Sequence, residues 1–111
     1  MPAQTDWARI AQLYAELARL VPSPVVDLNR AVAVSMAEGP QVGLDIVERL
    51  MSEPSLEGYH LLPSVRGDLL VKLGRFEEAR PEFERAVAMT KNAREREQLL
   101  ERAEACDITM R

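Results

Sequence analysis

Two arginines in similar surroundings, Arg30 and Arg66, are the side chains of this sequence best suited to recognition chemistry. A guanidinium presents a planar fork of N–H donors that binds a carboxylate through two hydrogen bonds. Both arginines lie within apolar runs, where an unpaired charge is costly. One interpretation is an internal ion pair, for which the candidate partners are Asp6, Asp27, Asp45 and Glu48. The other is that both arginines hold a carboxylate of a partner protein.

The side chains that catalysis needs are isolated in this sequence. His60 is the only histidine, and no Cys, His or Asp cluster surrounds it at ligand spacing, so we expect it to bond to the backbone rather than to a metal. Cys106 has no histidine at a recognisable spacing. The segment EGPQVG at 38–43 lacks the lysine of a phosphate-binding loop. We therefore expect a protein that is not an enzyme and that uses no cofactor.

The composition narrows the class of protein further. The chain has 111 residues, of which 47% are hydrophobic and 29% charged, which is typical of one folded domain. A net charge of −4 with scattered basic residues argues against direct binding of nucleic acid. A single cysteine and the absence of a long apolar run predict a cytoplasmic protein without a membrane segment.

The spacing of apolar residues predicts that helices position all of these groups. Apolar side chains recur every three or four residues, which is the period of a helix packed on one face. Asp6 is placed to cap the first helix, and Gly74 is expected in the left-handed conformation that ends another. The predicted helices cover residues 6–21, 24–38, 41–51, 59–73, 76–90 and 93–106.

Pro81 interrupts the fifth of these helices. A helix that begins near Arg80 would place the proline at a permitted first position, whereas a helix that begins at Phe76 must tolerate it inside. We expect the helix to begin at Phe76 and to be locally irregular at Pro81, because Ala79 must pack against the preceding helix.

The sequence also contains an internal repeat. A shift of 36 residues places Ala31 on Gly67, Val47 on Phe83 and Arg30 on Arg66. This period is close to the roughly 34 residues of the tetratricopeptide repeat. The sequence predicts an all-α fold of about six helices, in which tetratricopeptide-like antiparallel hairpins form a short right-handed solenoid that ends in a capping helix. Residues 1–111 are expected to form one such domain.

Three segments carry a more specific resemblance. They are SPVVDLNRAVAV at 23–34, GYHLLPSVRGDLLVKLGR at 58–75 and TKNAREREQLLERAE at 90–104. Over residues 6–104 the chain resembles the C-terminal extension of a group of extracytoplasmic-function sigma factors, which are bacterial transcription initiation factors. Gly67 and Pro81 depart from the residues usual in that extension.

The resemblance implies a function in transcription. In that family the polymerase-binding and promoter-reading regions lie upstream of the extension, and neither fits this sequence. The expected role is regulatory, through contacts with other regions of the sigma factor or with RNA polymerase. The alternative is a tetratricopeptide adaptor unrelated to transcription, and a homo-oligomer is a further possibility.

The inner face of the first helix in each hairpin is the surface expected to bind such a partner. An apolar stripe there would accept an amphipathic helix, unless the first helix or the capping helix covers it. The candidate residues are Val25, Leu28, Asn29, Arg30, Val32, Met36, His60 and Arg66. In the second hairpin the same repeat alignment also places Leu61, Ser64, Asp68 and Lys72 on this face.

Overall fold

A computed structural model describes residues 5–110, with side chains up to Asp107. Within this range every regular element is helical, which confirms the prediction of an all-α protein with six helices. They are α1 (Trp7–Leu20), α2 (Pro24–Glu38), α3 (Pro40–Leu50), α4 (Leu61–Lys72), α5 (Phe76–Met89) and α6 (Ala93–Met110), with one 3₁₀ turn at Pro54–Leu56.

The helix ends lie close to the predicted ones, and the largest difference is that α6 extends to Met110. Helix α5 begins at Phe76 and contains Pro81, as expected for the earlier of the two possible starts. Pro81 and Glu77 are both exposed. The hydrogen bond that Pro81 cannot donate to the Glu77 carbonyl is therefore missing on the exposed side of α5.

The chain divides into two compact units, residues 1–55 and 56–111, and the prediction of a single domain stays a prediction. In the first unit α2 packs against both α1 and α3. Helices α2 and α3 approach closely at Gly43, where an added Cβ would lie 2.5 Å from Cβ of Ser35 and 2.8 Å from the Ala31 carbonyl oxygen. Glycine is therefore the residue that this contact accommodates.

The second unit is built around α5, which packs against α4 and α6. Phe83 of α5 is fully buried at the centre of this packing. Its ring passes Gly67 of α4 so closely that a Cβ added to the glycine would lie 2.8 Å from Cε1 of the ring. The other buried apolar side chains of this unit include Leu62, Leu69, Leu70, Ala79, Ala86, Leu99 and Ala103.

Gly74 forms the turn between α4 and α5, as the sequence predicts. Its φ of +76° lies in the left-handed region. The Arg75 N–H donates to the Leu70 carbonyl at 2.8 Å and the Gly74 N–H to the Val71 carbonyl at 2.9 Å. These are the two hydrogen bonds of a Schellman motif, which satisfies the last carbonyls of a helix.

We expect Gly74→Ala to lower the free energy of unfolding by about 1 kcal/mol, because a Cβ disfavours the left-handed conformation. Urea unfolding followed by circular dichroism measures this change. Gly74→Asn is the matched control and should lose less, since asparagine adopts this conformation more readily. An alanine variant as stable as the original chain would contradict the assignment.

Candidate partner-binding surfaces

One face of α2 carries side chains that the first unit leaves exposed. Val25, Asn29, Val32 and Met36 follow one another at spacings of four, three and four residues, so they lie along one line on the helix. The exposed fractions of the three apolar members are 42%, 36% and 46%. These four residues are called the α2 stripe below.

The adjacent side of α2 is packed. Leu28, Ala31 and Ser35 are buried, and Ala31 and Ser35 contact α3 at Gly43. Leu28 was expected on the partner-binding face, but its exposed fraction is only 3% and it belongs to the core. Three residues along a helix leave it about 60° away from Val25, and this rotation places it on the packed side.

In the second unit, α4 and α6 enclose an open groove of about 270 Å³, called the α4–α6 groove. Its lining combines apolar and charged side chains. The residues are His60, Leu61, Ser64 and Asp68 of the α4 segment and Glu95, Gln98, Leu99 and Arg102 of α6. His60 is the only one of the eight candidate residues named from the sequence that lines this groove.

The ionisable groups of the α4–α6 groove contact one another. Nε2 of His60 lies 3.0 Å from Oε2 of Glu95, and Thr90 donates a hydrogen bond of 2.9 Å to the same oxygen. Asp68 forms an ion pair with Arg102. The imidazole thus contacts a carboxylate, although a backbone hydrogen bond was expected. Nothing in the sequence pattern links His60 with Glu95, because His60 precedes α4 and Glu95 lies on α6.

Arg66 forms an internal ion pair in the second unit. Its Nη1 lies 3.4 Å from Oε1 of Glu82, and Nη1 of Arg85 lies 2.6 Å from the same oxygen. The Glu82 side chain is only 3% exposed, so the two arginines neutralise a buried carboxylate between α4 and α5. The internal interpretation therefore describes Arg66, with Glu82 in place of the four acids named from the sequence.

Arg30 has a different environment in the first unit. It is half-buried and lines a groove between α1 and α2. The other lining residues of this groove, called the Arg30 groove, are Ala8, Ala11, Gln12, Ala15, Val34, Ala37 and Glu38. Among the residues that the structure describes, no carboxylate forms an ion pair with Arg30. Asp6 instead caps α1 through the Arg9 N–H, and Asp45 accepts a hydrogen bond from Gln41.

Cys106 lies in a small pocket of the second unit beside Phe83 and Arg102. The thiol is buried, and the Arg102 guanidinium stands 4.9 Å from the centre of the Phe83 ring. Burial, assisted by the nearby Asp107 carboxylate, raises the pKa of the Cys106 thiol. The environment therefore favours the protonated thiol over the thiolate that nucleophilic chemistry requires.

Two further observations concern residues 5–107. They contain no group of three or more His, Cys, Asp or Glu side chains placed to hold a metal ion. In this part of the chain no helix has both the length and the apolar character needed to cross a bilayer. The cytoplasmic location inferred from the sequence stays a prediction.

The chain is similar to an uncharacterized protein of Rhizobium meliloti (strain 1021). The two are 54% identical over 94 residues, which are 85% of this chain and 22% of the relative. The chain thus spans about a fifth of the length of the curated relative that it matches. No family model matches the chain, and no solved structure matches it.

Proposed function

We propose that the chain is a regulatory, protein-binding region of a bacterial extracytoplasmic-function sigma factor. Its α2 stripe binds an amphipathic helix from another region of that sigma factor or from RNA polymerase. The observation that carries the proposal is the line of exposed apolar side chains on α2, a helix whose other sides pack against α1 and α3. Such a line is the surface that an apolar helix face can cover.

The chemistry of the α2 stripe suits a helical partner. Full burial of a valine or methionine side chain is worth about 1.5–3 kcal/mol, and part of this gain is offset by the lost freedom of the two partners. Met36 can adapt its flexible side chain to an irregular partner surface. Asn29 interrupts the apolar residues with a polar group that can fix the position of the partner through hydrogen bonds.

The proposed scaffold is a tetratricopeptide-like solenoid with α6 as its capping helix. Helices α2 and α3 form one packed pair and α4 and α5 another, and each pair turns at a glycine with positive φ, Gly39 at +106° and Gly74 at +76°. Each pair also has a close contact at a glycine, Gly43 or Gly67. The turn glycines support two similar hairpins, because Gly39 and Gly74 lie 35 residues apart, close to the repeat of 36 residues, whereas Gly43 and Gly67 lie on different helices of their pairs.

The length of the similar protein also supports a region within a longer factor. The match occupies 22% of the Rhizobium meliloti protein, so more than three-quarters of that protein lies outside it. This remainder is long enough for separate polymerase-binding and promoter-reading regions. A regulatory region attached to them could control their availability by binding one of them.

We expect Val32→Asp to weaken binding to the upstream sigma regions by about tenfold or more, because it places a charge in the apolar contact. Fluorescence anisotropy with the labelled sigma regions measures the affinity. Val42→Asp is the matched control, since Val42 lies on α3 and is 39% exposed against 36% for Val32. Equal losses in the two variants would contradict a specific role for the α2 stripe.

The same proposal has a test in the intact sigma factor. Deletion of this region should change transcription from a promoter that the factor controls, and Val32→Asp should produce the same change. Full activity after the deletion, together with no binding between the separated regions, would refute the proposed function. Binding of the α2 stripe to peptides unrelated to the transcription machinery would favour the alternative, an adaptor outside transcription.

A further inference from the structure

Arg30 and Arg66 correspond in the repeat, but among the described residues only Arg66 pairs with a carboxylate of its own unit. Glu82 supplies that carboxylate from α5. The position that corresponds to Glu82, 36 residues earlier, is Ile46, whose side chain is buried. The first unit therefore keeps the arginine and replaces its acidic partner by an apolar residue.

The Arg30 groove leaves the unmatched guanidinium accessible. On α1 its lining includes Ala8, Ala11 and Ala15, whose short side chains fall at spacings of three and four residues. Ala8 and Ala15 are exposed, and Arg30 is half-buried beside them. A partly desolvated arginine binds a carboxylate more strongly than a fully hydrated one, because less water has to be displaced and screening is weaker.

We propose that the Arg30 groove binds a helix of the partner protein that carries one glutamate or aspartate, whose carboxylate accepts hydrogen bonds from the Arg30 guanidinium. In the described part of the first unit no carboxylate pairs with Arg30, so the guanidinium can bind one from a partner. The alanines of α1 allow the backbone of a second helix to approach closely. The partner contributes the group that Glu82 contributes to Arg66 in the second unit.

A second charge in the Arg30 groove restricts the partner further. Glu38 is exposed on the same lining, eight residues after Arg30 on α2, so their backbone positions lie roughly 12 Å apart along the helix axis. A partner helix with an acid at one position and a lysine or arginine about two turns away would match both charges. A helix with acids at both positions would be repelled by Glu38. This inference rests on the proposed function for the source of the partner, and it specifies the partner's chemistry.

The inference is tested on the full chain with a displayed library of alanine-based helices. In each helix, four positions that lie two turns or less apart are randomised among Glu, Gln, Lys and Leu. We expect the selected helices to carry a glutamate, and Glu→Gln in a selected helix to weaken binding about tenfold, the usual scale for a charge-assisted hydrogen bond. Arg30→Gln should remove the preference for glutamate. Arg49→Gln, an equal change of charge at an exposed position of α3, should keep it.

The outcomes separate this inference from the proposed function. Selection of helices without an acid, or binding that Arg30→Gln leaves unchanged, would overturn the inference even if the sigma regions bind. Arg30-dependent selection of acidic helices, with no binding of the sigma regions, would support it and refute the proposed function. If the chain self-associates in sedimentation experiments and Arg30→Gln abolishes this association, the partner is a second copy of the chain, and the inference of a different partner protein is overturned.

Arg30→Gln should also leave folding intact, because the described residues hold no ion pair for it to break. We expect an unchanged or slightly raised melting temperature. A loss of stability as large as that caused by breaking the Arg66–Glu82 pair would show that Arg30 serves the fold, and would overturn the inference.

Discussion

Phe83→Ala is expected to lower the free energy of unfolding by about 3–5 kcal/mol, the range measured when a buried aromatic side chain is truncated. Phe83 is fully buried and lies between α4 and α6, which it contacts at Gly67 and Arg102. The truncation removes apolar contacts on both sides and also the stacking of the Arg102 guanidinium on the ring. Urea unfolding followed by circular dichroism measures the loss.

Phe83→Leu is the matched control for this prediction. Leucine keeps most of the apolar volume and should cost clearly less than alanine, because the remaining cavity is smaller. An alanine variant that loses less than about 1 kcal/mol, the ordinary scale for a substitution without a special mechanism, would contradict the central place of Phe83 in the second unit.

Gly67→Ala extends the same prediction. Helix propensity alone favours alanine over glycine by about 1 kcal/mol. The added Cβ would nevertheless lie 2.8 Å from the Phe83 ring, so the packing conflict should outweigh the gain and the variant should be less stable. In the Phe83→Leu background, where the ring is absent, the same substitution should cost less. This coupling distinguishes a steric conflict from a general effect on the helix.

The sequence predicts the helices because their signals are local. The helical period of the apolar residues, Pro24 at the first position of α2 and Gly74 after α4 each act within a few residues of the chain. Local signals do not explain Gly67. In the sequence it stands where the resembling family usually has alanine, whereas in the structure it is the residue that leaves room for the Phe83 ring.

Contacts between charged side chains were harder to predict, since they depend on how neighbouring helices are placed along each other. The sequence does contain one signal for Glu82, which lies between Ala79 and Ala86 on the packed side of α5 and is therefore carried towards α4. No such periodic signal joins His60 to Glu95 or Asp68 to Arg102. In the same way, the apolar period places Val25, Val32 and Met36 on one line but does not reveal which side of α2 is covered.

Substitution of both arginines that neutralise Glu82 is expected to be about as damaging as loss of Phe83. Arg66→Met combined with Arg85→Met leaves a carboxylate that is 3% exposed without its two cations. Removing the partners of a buried charge typically costs about 3–5 kcal/mol, because the remaining charge has lost its water and its ion pairs. Each single variant should cost less than the pair, since Glu82 then keeps one arginine.

Glu82→Gln, added to the double variant, identifies the cause of this loss. If the stranded charge destabilises the second unit, the neutral amide should restore a clear part of the stability, whereas the same substitution in the original chain should be destabilising. Thermal unfolding of the four variants forms a thermodynamic cycle that isolates this coupling. If Glu82→Gln restores no stability, the two arginines stabilise the second unit through their packing. The difference between the paired Arg66 and Arg30, for which the described residues hold no ion pair, would then have no electrostatic basis. Recovery would show that the arginine at this repeat position is matched electrostatically to a carboxylate in the second unit, which is the contrast with Arg30 on which the proposed partner site is based.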